Sequence, residues 1–365
     1  MSSHPDPERQ LPITVVTGFL GAGKTTVLRH LLADPGCART AVIINEFGEV
    51  PLDHELVEIA NEDIVEVAGG CLCCTVRGDL ARAIRALDTR RRRAKVMDYE
   101  RVILETTGLA DPAPILQTLM TDSMIEHGYR LDGVVTLVDA TSGLETLDRQ
   151  EEARKQVAMA DLVLVTKIDL VGGEMPPALA ARLQALNATA RRVTCRHGAV
   201  APAALFDLGP WRRRHGGAAI EEWLGAAALD HHHDHHHGPD HGHDASRHGS
   251  DIRAFSLCRE AAIPAAGFSA FLELLTAVAG PDLLRVKGIV KIFEAPERPL
   301  VLHAVQHVIH EPVLLDAWPS ADERTRLVFI VRGIEEQSVV TLFETLAGSA
   351  TAKPMQHDEK VSSRS

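Results

Sequence analysis

Residues 18 to 26, GFLGAGKTT, constrain this chain more than any other stretch of it. They fit the pattern G-x-x-x-x-G-K-[ST] and have the flanks that pattern needs, a β-branched run ITVVT (13 to 17) before and an amphipathic VLRHLLAD after. Gly18, Gly21 and Gly23 let the backbone fold closely round an anion, so that successive N–H groups and the start of the following helix point at phosphate. Lys24 then neutralises the β- and γ-phosphates, and Thr25 offers its hydroxyl to a magnesium ion. A glycine-rich turn that happens to precede a helix is the plain alternative, and the strand–loop–helix context argues against it.

Such a loop needs an α/β scaffold, and the first 200 residues supply one. Short apolar runs TAVIIN (40 to 45), DIVEV (63 to 67), RVILE (101 to 105), GVVTLVD (133 to 139) and DLVLVT (161 to 166) follow ITVVT and alternate with helical segments such as DLARAIRALDTRR. The pattern predicts a mostly parallel, doubly wound sheet covered on both faces, over residues 1–210. Residues 211–250 contain HHHDHHHGPDHGHDASRHGS, which has almost no apolar residues, and read as a His-rich linker or loop. Strand-like and helix-like segments resume over 251–347, where polar alternation in the strands predicts a small α+β C-terminal domain with an antiparallel sheet. Residues 348–365 are polar and read as a disordered tail.

The net charge of −12, from 38 basic and 50 acidic side chains, argues against a nucleic-acid or anionic-membrane partner, since both reward a positive surface. No run approaches the roughly 20 apolar residues of a membrane span, and the N-terminus lacks a basic region followed by an apolar stretch. The expectation is a cytoplasmic protein. In a reducing compartment, clustered cysteines bind metal or do redox chemistry more readily than they staple a fold. Cys37, Cys195 and Cys258 stand alone and read as small buried hydrophobes, while RRRRAK (90 to 95) reads as a solvated helix end.

Two further motifs bear on the nucleotide. TKID, residues 166 to 169, follows a hydrophobic strand; Asp169 can accept two hydrogen bonds from the guanine N1–H and exocyclic amine, a pair of donors that adenine lacks. Lys167 packs its stem along the base, and Thr166 stands where asparagine is more usual. RVILETTG places Glu105 at a strand end, where a carboxylate can hold Mg²⁺ through a water or orient an attacking water, and Gly108 allows a backbone N–H to approach the γ-phosphate. A helix-capping role for Glu105 and the use of Asp139 in its place are the alternatives.

GGCLCC, residues 69 to 74, holds three of the six cysteines and lies between DIVEV and the next helix. If that strand runs parallel to the others, the thiols share the rim with Lys24, Glu105 and Asp169. Thiolates select Zn²⁺, Cu⁺ and similar ions. Cys71, Cys73 and Cys74 leave a tetrahedral ion short of at least one ligand, for which Glu49 of NEFGE, a histidine or a water is a candidate. A redox pair and inert buried cysteines are the alternatives. His231, His232, His233, His235, His236, His237, His241, His243 and His248, interleaved with aspartates, offer a second set of borderline nitrogens on a flexible chain, or a solvated linker with incidental affinity.

Taken together and in this order, GFLGAGKTT, NEFGE, GGCLCC, ETTGLADP and TKID resemble the CobW-type P-loop GTPases, relatives of the nickel-insertion GTPases of urease and hydrogenase maturation, and the last hundred residues resemble that family's C-terminal domain. The resemblance implies a GTPase and metallochaperone that uses GTP and Mg²⁺, with Gly21, Ala22, Gly23, Lys24, Thr25 and Thr26 as the phosphate cradle. It makes Cys71, Cys73 and Cys74, with Glu49 a possible fourth, ligands for Zn²⁺ or Co²⁺, and makes a client metalloprotein or metal-dependent pathway the partner. Ile44 stands just before NEFGE, where some members carry a glutamate. A metal bridging two cysteine loops would favour a homodimer. The rivals are a metal buffer or sensor with vestigial GTP turnover, a cobalt chaperone for cobalamin synthesis, and an ATP-dependent small-molecule kinase.

Overall fold

The apolar runs of the first half of the chain are two interleaved alternations, one for each face of a sheet. In the computed structural model, which describes residues 10–45, 64–66, 76–209, 220–221, 223–225, 252–310 and 312–347, they form β1 (Leu11–Gly18), β2 (Thr40–Asn45), β3 (Ile64–Glu66), β4 (Arg101–Thr106), β5 (Tyr129–Asp139) and β6 (Leu162–Thr166), and a seventh strand, β7 (Arg191–Thr194), joins them. Ile13 and Val15 of β1, Val102 and Leu104 of β4, and Val163 and Val165 of β6 enter one core. Val16, Ile103, Leu162 and Leu164, their odd-numbered or even-numbered neighbours, enter the other. Side chains that alternate across a strand, with both faces covered, require this continuous apolar composition.

The strand order is β3-β2-β4-β1-β5-β6-β7, and every pairing is parallel. β1 thus sits where the order reverses, flanked by β4 and β5, and the carboxyl ends of the strands open a crevice there. β7 was not among the expected strands. Its sequence, RRVT, has one apolar residue and no fully buried position, because it closes an edge of the sheet.

The C-terminal sheet is antiparallel, with β8 (Ile252–Arg259), β9 (Arg285–Val290), β10 (Leu300–Val305), β11 (Val308–Ile309), β12 (Val313–Leu314) and β13 (Thr325–Arg332). Helices Ala265–Ala279 and Glu336–Leu346 cover one face, where Phe271 meets Phe343 edge-on at 5.1 Å between ring centroids. Leu327, Phe329 and Val331 of β13 face these helices, whereas Val328 and Ile330 pack the other way, with Ile330 joining the first-half core. The polar alternation of these strands is therefore not a solvent face. Arg285 and Lys287 of β9 are 2% and 3% exposed at their side chains, buried beneath the first domain.

What receives them is Asp161, the residue before β6. Arg285 donates to both Asp161 carboxylate oxygens at 2.7 and 2.8 Å, the Lys287 ammonium lies 2.8 Å from Oδ1, and the Val134 amide donates to Oδ2 at 2.9 Å. Burial pushes the Asp161 carboxyl upward, but the two cations outweigh it and hold the group well below the ordinary carboxylate range. Burial pulls Lys287 down to about 8 despite its carboxylate partner. Lys287 also donates to the Trp223 carbonyl at 2.8 Å. Within the stretch expected to be linker, Ile220, Trp223 and Leu224 are buried, because AIEEWLG is amphipathic where the histidine run after it is not. No helix among the described residues is long and apolar enough to cross a membrane.

Removing the anion leaves two buried cations uncompensated. Asp161→Ala is expected to lower the free energy of unfolding by about 3–5 kcal/mol, read by urea denaturation at neutral pH.

His303 of β10 adds a pH dependence. It pairs in register with Lys287 and lies 6.0 Å edge-on from Trp223. Burial, with Arg285, Lys287 and His310 adding to it against Asp161, holds its imidazole well below the ordinary value. A depressed folded value means that the unfolded chain binds the extra proton first, so stability falls as pH drops below about 6.5, by up to about 1.4 kcal/mol per pH unit. Asp161 titrates below that window and Lys287 above it. His303→Leu should flatten the slope of unfolding free energy between pH 5 and 6.5.

Candidate active site

The loop after β1 is shaped by space as well as by sequence. Gly18 has φ 143°, and a Cβ there would lie 2.6 Å from the Leu137 carbonyl oxygen, so no larger residue fits. Gly23, in the left-handed region, caps the helix Lys24–Ala33 with no side-chain acceptor on its first N–H groups. The Lys24 ammonium donates to the Gly18 carbonyl at 2.8 Å and to the Phe19 carbonyl at 3.3 Å, so its charge sits inside the curl of the loop. Thr25 is half-buried at the helix start and Thr26 is exposed beside it. Together these groups form a concave row of donors and one cation, suited to a polyphosphate.

Three other strands, β4, β5 and β6, deliver their motifs to the same rim. Glu105, the penultimate residue of β4, is 8% exposed and lies in register between Val16 of β1 and Ile44 of β2. The Thr106 hydroxyl next to it donates to Thr17 at 2.8 Å, tying the ends of β4 and β1 together. Gly108 lies flat against the phosphate loop: a Cβ there would come within 2.7 Å of the Leu20 nitrogen. Asp139, the alternative to Glu105, has its acceptors filled by the Thr141 amide and hydroxyl (both 2.7 Å), Ser142 (3.2 Å) and Lys167 (2.6 Å). Burial raises its acidity constant's pKa, but these donors outweigh that and keep the carboxyl below its ordinary value. It anchors Lys167, which is held in a left-handed conformation at φ 56°.

Thr166 has a definite partner. Its hydroxyl donates to the Ala22 carbonyl at 2.7 Å, bracing the back of the phosphate loop. Asp169 lies in the short 3₁₀ turn Ile168–Val171, with its carboxylate accepting from the His197 amide at 3.1 Å and its second oxygen 3.3 Å from the His197 ring. The His197 amide is the leading cause that keeps the Asp169 carboxyl below its ordinary value.

The loop after β7 was not anticipated as part of the site. Gly198, at φ 80°, would bring a Cβ within 2.8 Å of Thr26, so this loop closes onto the phosphate-site helix while His197 touches Asp169. TCRHG carries no recognisable motif, and a lone Cys195 gives little warning. Burial pushes the Cys195 thiol up to about 11, which fits its expected role as a small hydrophobe, and Cys37 is likewise buried with its pKa raised. Cys258 departs from that expectation. It is exposed, on β8 at the sheet edge, where alternate residues face outward.

Cys71, Cys73, Cys74 and Glu49, and the histidines from His231 to His248, lie outside the described residues. Among the described residues no group of three or more His, Cys, Asp or Glu is placed to hold a metal ion. What is described is the approach to the cysteines: β3 pairs parallel with β2, Ile44 opposite Glu66, and the chain resumes at Val76 in the helix Val76–Arg92. The third strand is parallel, which is the one condition attached to that expectation for the thiols that falls on described residues.

Comparison with known proteins agrees with this geometry. Residues 12–194 match the family described as "CobW/HypB/UreG, nucleotide-binding domain", and residues 252–347 match "Cobalamin synthesis protein cobW C-terminal domain". The chain is 32% identical over 336 residues to a protein of Escherichia coli named zinc chaperone YjiA, covering 92% of this chain and 98% of that one. It is 31% identical over 370 residues to zinc chaperone CobW of Pseudomonas aeruginosa, covering 92% and 91%. The crystal structure of the Zn(II)-bound YjiA GTPase from E. coli superposes with a TM-score of 0.68 at 27% identity, covering 92% of this chain and 99% of that one.

Asp169→Asn replaces an acceptor oxygen with an amide that donates toward the guanine donors. It should weaken GTP binding by about 10²-fold or more and improve binding of a xanthine nucleotide, whose C2 carbonyl accepts that donor. Displacement of a fluorescent GDP by GTP, XTP and ATP measures both effects.

Proposed function

Because the chain belongs to the CobW/HypB/UreG family of P-loop GTPases and carries the CobW C-terminal domain, we propose that its GTPase activity drives transfer of a transition metal, held at Cys71, Cys73 and Cys74, to a client protein. The observation that carries this reading is the shared rim. The phosphate loop, the Gly108 loop and the end of β3, from which the chain runs on to the cysteines, all lie at the carboxyl ends of parallel strands. Nucleotide state and cargo are then neighbours. The relatives named as zinc chaperones, and a similar structure with Zn(II) bound, favour zinc as the cargo.

In this reading GTP is the substrate. Lys24 leaves the loop carbonyls for the β- and γ-phosphates, the Gly108 backbone faces the γ-phosphate, and Glu105 at the strand end orients the attacking water. Asp169 and Lys167 hold guanine, with the His197 loop as the facing wall. The donor set also fits Mg²⁺: the Thr25 hydroxyl and the Glu105 carboxylate are hard oxygens on this rim, whereas the thiols suit a softer ion. Magnesium bound there would offset the charge that builds up on the phosphates. Glu49 is the proposed fourth cargo ligand.

Coupling between the two sites has to be reciprocal: if GTP tightens metal binding, metal tightens GTP by the same factor. Zn²⁺ and Co²⁺ titrations with GTP, GDP and no nucleotide should give different metal affinities in the three states. Cys73→Ala should abolish the tight metal site while GTP still binds. Identical affinities in all three states, with no effect of metal on single-turnover hydrolysis, would identify a metal buffer.

A further inference from the structure

A buried glutamine absent from every motif sits behind the loop that carries Gly108. Gln156, in the helix Glu151–Ala158, is 0% exposed. Its side-chain nitrogen donates to the Gly108 carbonyl at 3.2 Å and to the Ala110 carbonyl at 3.1 Å, while its backbone carbonyl accepts from Thr136 at 2.7 Å. Two carbonyl partners fix which end of the amide is nitrogen, because an oxygen turned toward them would only repel. Gln156 also lines a small cavity behind the phosphate loop, together with Phe19, Leu20 and Asp139.

The loop it holds is short. Gly108 packs against Leu20, the Lys155 ammonium lies 3.6 Å from the Asp111 carboxylate, and the Ala110 amide closes a turn onto the Thr107 carbonyl at 3.1 Å. To these Gln156 adds side-chain donation to two alternate carbonyls of the loop. In a trans peptide the C=O and the following N–H point in opposite directions, and the described residues contain no cis peptide. Drawing the Gly108 and Ala110 carbonyls toward the core therefore turns the N–H groups of Leu109 and Asp111 away from it. Leu109, between the two carbonyls, is 53% exposed.

We propose that Gln156 is a positioning residue for GTP hydrolysis: it fixes the orientation of the Gly108–Leu109 and Ala110–Asp111 peptides, and through them the loop backbone that meets the γ-phosphate. The inference rests on the reading of Gly108 as the γ-phosphate element. It goes beyond that reading by assigning the loop's geometry to a residue distant in sequence. Neither leucine nor methionine can donate to two carbonyls. A glutamate can donate once when protonated and not at all when ionised.

The test uses the full-length protein with Gln156→Leu, Gln156→Met and Gln156→Glu. For the first two, kcat for GTP should fall about tenfold or more with KM little changed, and GDP affinity should stay within about twofold of the parent, the pattern of an interaction needed in the transition state rather than in binding. Gln156→Glu should recover activity relative to the parent as pH falls, since burial favours the protonated acid that can donate. Should the leucine variant fail to fold, methionine, which keeps the length of the side chain, gives the same reading. Parental kcat in the methionine variant would overturn the proposal. So would a loss of kcat matched by an equal loss of GDP affinity and thermal stability, with no acid recovery in the glutamate variant, because that is the signature of a packing role alone. If the parent protein itself neither hydrolyses GTP nor prefers it to ATP, the nucleotide reading fails first, independently of Gln156.

Discussion

One carboxylate decides how the two halves of this protein meet. Asp161 lies at the amino end of β6, the rim opposite the phosphate loop, and gathers Arg285, Lys287 and the Val134 amide into a site closed to water. A lone buried aspartate would be costly, and so would two lone buried cations; only the docked arrangement satisfies all three. An apolar interface could slide, whereas a bidentate guanidinium on a single acid cannot. The C-terminal sheet is thereby fixed at the amino end of β6, away from the carboxyl rim that carries the phosphate loop.

The placement of Lys24, Glu105 and Asp169 on one rim was legible in the sequence because its signals are local. A phosphate loop, a strand-ending ETTG and a TKID are each written within nine residues, and a parallel sheet brings strand ends to one rim without any further instruction. The parts that were not legible are set by partners far along the chain. Arg285 and Lys287 belong to the polar alternation of β9, and nothing near them in sequence announces Asp161, more than a hundred residues earlier. RRVT gave no strand signal because an edge strand needs little apolar surface. His197 and Gln156 belong to no motif, and their contacts are visible only once Asp169 and Gly108 are in place beside them. The C-terminal sheet shows the same limit at the level of pattern: alternation predicts two unlike faces, but not that the second face is a domain junction.

The second set of contacts between the halves falls on the helices that flank the Gly108 loop. Gln117, in the helix Ala113–Thr121 that follows the loop, donates to Gln306 at the turn after β10 at 2.8 Å. Arg332, at the end of β13, donates to Glu151 at 2.8 Å, and Glu151 opens the helix that carries Gln156. Five residues of helix, about 7.5 Å at 1.5 Å per residue, separate a contact with the C-terminal domain from the amide that holds Gly108. A helix this short moves as a rigid piece. The Arg332–Glu151 pair is partly exposed, whereas the Arg285–Asp161 pair is buried. The two contacts differ in kind: leaving the buried one would strand charges out of water, so it holds the C-terminal domain in place, whereas the exposed one, five residues of helix from the amide that holds Gly108, can break and be solvated at little cost.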